Sequence, residues 1–391
     1  MKIKDIKIFV VNAEMRNWVF VKIETDIAGL YGWGEGSLEW KTRSVVGAIE
    51  DFKPLIIGED PLRIEYLYQK MYRQSFWRIG LGVIGMSAIS AIELALWDIK
   101  GKHLAVPVYE LLGGRVRDRV RMYTHLGGGD MKSVYETFDS KPLIDLAQQV
   151  IANDYTAIKV VFVPYSESIE GNNKVRLFAK LFEKLRLAVG NNIDIMIDFH
   201  GRTTPAMAIQ YINAVTDLNP FFCEEPVPPE NVKSLVQVRA ATRVPIATGE
   251  RLVTRHQFRQ LLEDSACHII QPDICHCGGL WEARKIAAMA EIYDVGVAPH
   301  NPLGPIANAA ALHFALATPN FLIQEDMLLD VPWRWDIVKS TLKRKNGYWL
   351  PSSIPGLGIE VNEKEAAKHP FKQEIIHSTT IKAHDGAILD W

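Results

Sequence analysis

Cysteine is scarce in this chain: Cys223, Cys267, Cys275 and Cys277 are the only four in 391 residues, and all lie in one stretch. Four clustered thiols make no disulfide scaffold and fit a reduced, cytoplasmic protein. Charge of one sign is also missing, since 44 basic and 46 acidic residues leave a formal net charge of -2. Without a one-signed field, nucleic acid and membrane surfaces are poor partners. No apolar run approaches the 18 residues of a spanning helix. The opening MKIKDIKIFVV is short, alternates and lacks a small-residue cleavage pattern, so it reads as a β-strand rather than a signal sequence. What is present is an ordinary hydrophobic content of 48%, enough for one or two well-packed domains.

The apolar residues change their period along the chain. Residues 3–36 alternate as strands do, with turn chemistry at Thr25–Gly29, and predict an antiparallel meander. Helical spacing follows over Ser44–Ile56, from Pro61 through Ile64, Leu67, Tyr68 and Met71, and over Gly85–Lys100. The last of these carries small residues on one face, which predicts close packing on another element. From about Val120, strand-length apolar runs alternate with helical stretches: VRMYTHL, AIKVVFV, DIMIDFH, PFFCEEP, VPIATGE, CHIIQPD, VGVAPH and FLIQED. Eight such units predict a (β/α)8 barrel of the TIM type. The expected division is an α+β capping domain over residues 1–119, a barrel over 120–340, and a tail over 341–391 that returns to the cap.

Six strand ends carry ionisable residues: Asp198, Glu224, Glu250, Asp273, His300 and Glu325. Side chains at the carboxyl ends of barrel strands share one rim, where this architecture keeps its active site. Three carboxylates facing one point repel unless a cation joins them, and Asp198, Glu224 and Glu250 offer the hard oxygen ligands that Mg²⁺ prefers. The alternative is that they pair with Arg202, Arg243 or Arg251. Asp273 precedes His300 by one strand, so it can fix the tautomer of a histidine base. His200, two residues after Asp198, is expected to face the same cavity from the side opposite His300. Lys159 either pairs with a rim carboxylate or meets the substrate, and Glu325 either holds a substrate carboxylate or caps a helix. Cys275-His276-Cys277 lacks the second pair and the spacing of a zinc site.

With YGWGE, AIELALWDIKGK, LLGG, DFHGR, EEPV, GER, QPD, APHNPLGPIA, LIQE and GLGIEV in hand, the chain resembles the enolase superfamily, mandelate racemase subgroup, over essentially its whole length. Within it the chain is most similar to sugar-acid dehydratases of the galactonate dehydratase type. The resemblance implies one Mg²⁺ per subunit on Asp198, Glu224 and Glu250, His300 as base backed by Asp273, His200 as general acid, and Glu325 at the substrate carboxylate. It implies dehydration of an aldonate, D-galactonate first, to a 2-keto-3-deoxy acid through an enediolate. Gluconate, an epimeric hexonate and a pentonate are close rivals. Racemases of the subgroup carry Lys-x-Lys after the second strand, whereas this chain has Lys159-Val160-Val161. That departure weighs against a racemase or epimerase, and the intact rim weighs against a non-catalytic relative. The resemblance also implies that cap loops choose the substrate, with Arg16, Trp18, Trp40, Lys41, Arg43, Trp77 and Arg78 as candidates, and that the enzyme is a homo-oligomer of two to eight subunits; Trp333, in the Pro332–Trp335 segment after the last strand, is a further candidate to line the pocket.

Overall fold

The alternation near the N-terminus folds into an antiparallel sheet. Strand β1 (Ile3–Ala13) pairs with β2 (Arg16–Thr25), and β2 with β3 (Tyr31–Glu35). The computed structural model describes residues 1–77, 81–126, 139–374, 382–383 and 385–389. Helices α1 (Thr42–Ile56), α2 (Ile64–Gln74) and α3 (Gly82–His103) follow the meander. In α1 and α2 the residues at helical spacing are the buried ones, Val45, Ile49, Phe52 and Ile56 in the first and Ile64, Leu67, Tyr68 and Met71 in the second.

Helix α3 is longer than its sequence pattern predicts. By length and composition it is apolar enough to cross a membrane, but 83% of its apolar window is buried inside the molecule, as in a core helix. It lies directly on β3. A Cβ built at Gly32 or Gly34 would stand 2.1 Å from the Ala95 carbonyl oxygen or 1.9 Å from that of Ala91. The glycines of YGWGE and the small residues of α3 are therefore one joint, in which strand and helix backbones touch.

Eight parallel strands make the barrel: β4 (Val120–His125), β5 (Ala157–Val160), β6 (Asp194–Asp198), β7 (Cys223–Glu224), β8 (Ile246–Thr248), β9 (Ile269–Ile270), β10 (Gly296–Val297) and β11 (Gln324–Asp326). Neighbours pair in chain order, and β11 returns to β4 through Glu325↔Tyr123. A bridge from Val297 to Phe321 completes the ring between β10 and β11. The interior holds one cluster with a residue from each unit: Tyr123, Ala157, Met196, Phe222, Ala247, Ile269, Ala298 and Ile323. Large and small side chains share this layer, so the barrel is filled rather than hollow. Side chains two positions further along a strand point the same way, which carries His125, Lys159, Asp198, Glu224, His300 and Glu325 to the rim above that layer.

After the barrel the chain forms only short antiparallel strands. β12 (Val338–Ser340) pairs with β15 (Ile359–Val361), and β13 (Lys343–Lys345) pairs with β14 (Tyr348–Leu350), which lies against the start of β4. The tail then returns to the meander. The Asn12 amide donates to the His369 carbonyl at 2.9 Å, and the Asn17 amide donates to the Glu374 carboxylate at 2.9 Å.

Buried carboxylates lock the cap to the barrel. Glu35 accepts from the Gly304 and Ala307 amides at 2.7 and 2.9 Å, at the start of the helix Pro305–Ala317. Glu93 of α3 accepts from the Leu280 and Trp281 amides at 2.9 and 3.0 Å, at the start of the helix Leu280–Ile292. Orphan amides at helix N-termini need such acceptors, and the helix dipole favours a negative charge there.

Candidate active site

Asp198, Glu224 and Glu250 end three successive strand units, and each offers a ligand atom within 4.8 Å of the other two. Asp198 and Glu224 are completely buried. Asp198 Oδ2 faces the Lys159 and His200 nitrogens at 3.3 and 3.2 Å and Glu250 Oε2 faces His300 Nε2 at 3.5 Å, while among the described residues Glu224 Oε1 has no hydrogen-bond partner. A buried carboxylate oxygen left in this state is costly. Burial pushes the Glu224 and Glu250 carboxyls up, and the neighbouring carboxylates add to the push. Asp198 is also buried, but His200 and Lys159 outweigh that and hold it below the usual range. Three hard carboxylate ligands converging this closely fit a divalent cation. The arginines that could have claimed them are engaged elsewhere: Arg251 pairs with Glu225 at 2.7 Å and Arg243 with Asp217 at 3.4 Å.

Lys159 supplies the positive charge on the opposite side of this trio. Its Nζ lies 2.8 Å from Glu325, 3.1 Å from Glu224 and 3.3 Å from Asp198. Burial opposes its charged form, yet the Glu224 and Glu325 charges hold its pKa well above the ordinary value. Glu325 also accepts from the Asn301 amide at 2.8 Å, in the loop ahead of the helix Pro305–Ala317. It faces the cavity instead of capping that helix.

The two histidines are held in opposite ways. His300 Nδ1 meets Asp273 Oδ2 at 2.7 Å, and the Cys275 amide donates to Asp273 Oδ1 at 2.7 Å. A carboxylate partner draws the proton to Nδ1, leaving the Nε2 lone pair available as a base. Burial disfavours the imidazolium, but the Asp273 bond and the Glu325 charge outweigh it and lift His300 to about 9, so His300 must shed its Nε2 proton before it can act as a base. His200 Nδ1 lies 3.2 Å from Arg202 Nη2. A guanidinium only donates, so Nδ1 accepts and the proton of neutral His200 sits on Nε2. Burial lowers its pKa, against the pull of Asp198 at 3.2 Å. His200 does not reach the cavity by strand alternation. β6 has already ended at Asp198, and His200 sits in a left-handed turn with φ 49°, where its amide donates to Asp198 Oδ1 at 2.9 Å.

These groups line one small cavity of about 130 Å³. Its walls include Lys159, Asp198, His200, Glu250, His300 and Glu325 from the barrel, and Met15, Arg16, Glu39 and Trp40 from the cap. His125 also lines it and was absent from the sequence reading. It ends β4 two residues after the interior Tyr123, so strand parity would have found it. Burial lowers His125 to about 3, so it is neutral.

Of the cap candidates, the cavity gathers Arg16 and Trp40 and not the others. Trp18 is completely buried one layer deeper, packed on Phe20 and on Trp333. Trp333 stacks on His369, 3.5 Å between ring centroids, instead of facing the cavity. Lys41 and Arg43 flank the buried Thr42 and turn to solvent, with Arg43 over the Phe371 ring. Trp77 is 75% exposed and lies against Phe76. Arg78 lies outside the described residues. Where the racemases have their second lysine, Val161 is buried and carries no proton. Cys275 and Cys277 are buried free thiols, and His276 Nε2 bonds to the Ser37 carbonyl at 2.7 Å.

Sequence comparison is consistent with this geometry. The family described as mandelate racemase / muconate lactonizing enzyme, N-terminal domain, matches residues 2–113, and the enolase C-terminal domain-like family matches residues 143–365. D-galactonate dehydratase of Pectobacterium atrosepticum is 38% identical, with 96% of each chain covered. That of Variovorax paradoxus is also 38% identical, again over 96% of each. The crystal structure of an enolase from Agrobacterium radiobacter, bound to Na and L-malate, superposes with a TM-score of 0.90 at 34% identity over 100% of both chains. A mandelate racemase/muconate lactonizing enzyme-like protein from Roseovarius gives a TM-score of 0.87 at 34% identity, over 96% of this chain and 97% of that one.

Proposed function

This chain belongs to the mandelate racemase/muconate lactonizing enzyme group of the enolase superfamily, and from that premise we propose that it dehydrates a sugar acid, D-galactonate first, with Mg²⁺ as its metal. Asp198, Glu224 and Glu250 would hold the ion, whose charge would make the α-proton of the substrate more acidic and offset the charge developing on its carboxylate. Lys159 and Glu325 flank the trio and orient the carboxylate end. His300 Nε2 takes the proton from C2. The electrons of that bond move first into the substrate carboxylate, giving an enediolate, and then form the C2–C3 double bond as the C3–O bond breaks. His200, as the imidazolium that the Asp198 carboxylate 3.2 Å away favours, gives its Nε2 proton to the departing hydroxyl, which leaves as water, and ends neutral with its proton on Nδ1. The enol then becomes the 2-keto-3-deoxy acid. Each positioned acid or base contributes about 10²–10⁴-fold.

The observation that carries this reading is the pair of histidines with opposite proton placements on the third and seventh barrel strands, across a ring of eight. Asp273 at 2.7 Å makes neutral His300 an acceptor toward the cavity, and Asp198, 3.2 Å from Nε2, favours a proton on that nitrogen of His200. A racemase returns the proton to the same carbon from the other face and needs a second base there; buried Val161 is not one. Four free, buried cysteines agree with a cytoplasmic setting. Exposed Phe76 and Trp77 fit a homo-oligomer, with size-exclusion mass measurement as its check.

One second class of substrate has an observation behind it. L-malate in the Agrobacterium enolase is a dicarboxylate, so aldarates belong in the test beside aldonates. The test is a panel of both acids with Mg²⁺, monitored for 2-keto acid. We expect product from D-galactonate, and none with Glu250→Gln. No product from any acid, or wild-type turnover by Glu250→Gln, would refute the reading.

A further inference from the structure

The barrel side of the cavity carries the reacting groups; the cap side carries a different pair of charges. Arg16 opens β2, and Glu39 follows β3. Both line the cavity, with Met15, Trp40, Pro302 and Met327 beside them. The Arg16 side chain is only 2% exposed, and its Nε lies 3.5 Å from the Glu39 carboxylate, which is 15% exposed. Among the described residues, Arg16 Nε and Nη1 have no hydrogen-bond partner, and Nη2 reaches the Met15 sulfur at 3.5 Å.

A guanidinium buried with unmet donors is costly unless a ligand or water oxygen meets them. The Arg16 side chain is part of the wall of the substrate cavity. The wall is not simply basic, however. The Glu39 charge offsets that of Arg16, and the other cap-side side chains there are apolar or aromatic. A hydroxyl can accept from Arg16 and donate to Glu39 at once. A carboxylate in the same place could accept from Arg16 but would stand against the Glu39 charge with no proton to give it. Like charges in a desolvated site discriminate strongly, as do buried polar groups left unpaired.

We propose that Arg16 and Glu39 act as one specificity element, which reads the uncharged hydroxyl tail of an aldonate and rejects the distal carboxylate of an aldarate. The proposal rests on the sugar-acid reading above and adds the substrate class to it. Arg16 supplies the attraction and Glu39 the repulsion.

The test uses full-length enzyme with Mg²⁺ and two acids that differ at the distal carbon, D-galactonate and galactarate. Turnover is read as kcat/KM and affinity by calorimetry, for wild type, Glu39→Gln and Arg16→Lys, each shown to be folded by its melting temperature. Wild type should favour D-galactonate by about tenfold or more, and Glu39→Gln should move the ratio about tenfold toward galactarate, through KM and Kd rather than kcat. Arg16→Lys should raise KM for D-galactonate while kcat stays within about threefold. A wild type that prefers galactarate, or a folded Glu39→Gln with an unchanged ratio, overturns the proposal. Absence of 2-keto acid from both acids speaks against the dehydratase reading instead; the calorimetric ratio still decides between the two roles for the wall.

Discussion

At the scale of single residues, Lys159 is the centre of charge of the site. It stands within 3.3 Å of Asp198, Glu224 and Glu325, and its side chain is 3% exposed. Removing one partner of a buried ion network leaves the others uncompensated, at a cost of about 3–5 kcal/mol. Lys159→Met should therefore lower the melting temperature without metal, and added Mg²⁺ should raise it by more than in wild type, because the ion alone then joins the carboxylates. Equal metal-induced shifts in the two proteins would show that Lys159 is not the counter-charge. The rim residues were legible because each ends an apolar run, and a charge at a barrel strand end has few other uses. His125 escaped because its strand lies ahead of the regular spacing that begins at Asp198. Glu39 escaped because nothing in a loop sequence says which side chain turns inward; Lys41 and Arg43 looked as good and face solvent. His200 reached the cavity through a left-handed turn, not through the strand alternation that suggested it.

At the scale of elements, the eight barrel strands were legible from apolar runs and the meander from its alternation, since both periods follow from backbone geometry. The joints between elements were not, because they join residues hundreds of positions apart. Glu35 and Glu93 look like surface acids in the sequence and are buried acceptors at the starts of two barrel helices. His313 is another such joint. It is buried in the helix Pro305–Ala317, its Nδ1 accepts from the Tyr109 amide at 3.1 Å, and its ring stacks on Tyr109. Burial lowers it to about 4, against a small opposing effect from the Leu357 backbone. The unfolded chain therefore binds a proton between about pH 6.5 and 4 that the folded chain does not, so stability is complete above that window and is lost as pH falls through it. The loss should be about 3 kcal/mol at the lower end. Urea unfolding from pH 7 to 4 should show it, and His313→Gln should flatten that part of the slope. An equal slope in the variant would assign the pH dependence to other groups.

At the scale of the whole molecule, the C-terminal tail fastens the cap loops over the barrel mouth. Glu374 accepts from the Asn17 amide at 2.9 Å and from the Thr42 hydroxyl at 3.0 Å, and the Lys372 carbonyl accepts from the Asn17 side chain at 2.9 Å. These contacts bracket Arg16 on one side and Glu39 and Trp40 on the other. Glu374→Ala should loosen that wall and raise KM for the sugar acid about three- to tenfold, with kcat changed less, because the barrel groups keep their places. A fall in kcat with KM unchanged would mean that the strap acts on the chemistry itself. The sequence predicted that the tail would return to the cap, but not which residues it would hold. The central claim is that His300 takes the C2 proton and His200 serves the leaving hydroxyl. It is tested most directly by following D-galactonate with Mg²⁺ in deuterated water by NMR, for wild type, His300→Asn and His200→Asn. The account predicts that His200→Asn loses dehydration by about 10²–10⁴-fold but still exchanges the C2 proton for deuterium, whereas His300→Asn loses both. Exchange or dehydration at the wild-type rate in His300→Asn would contradict it.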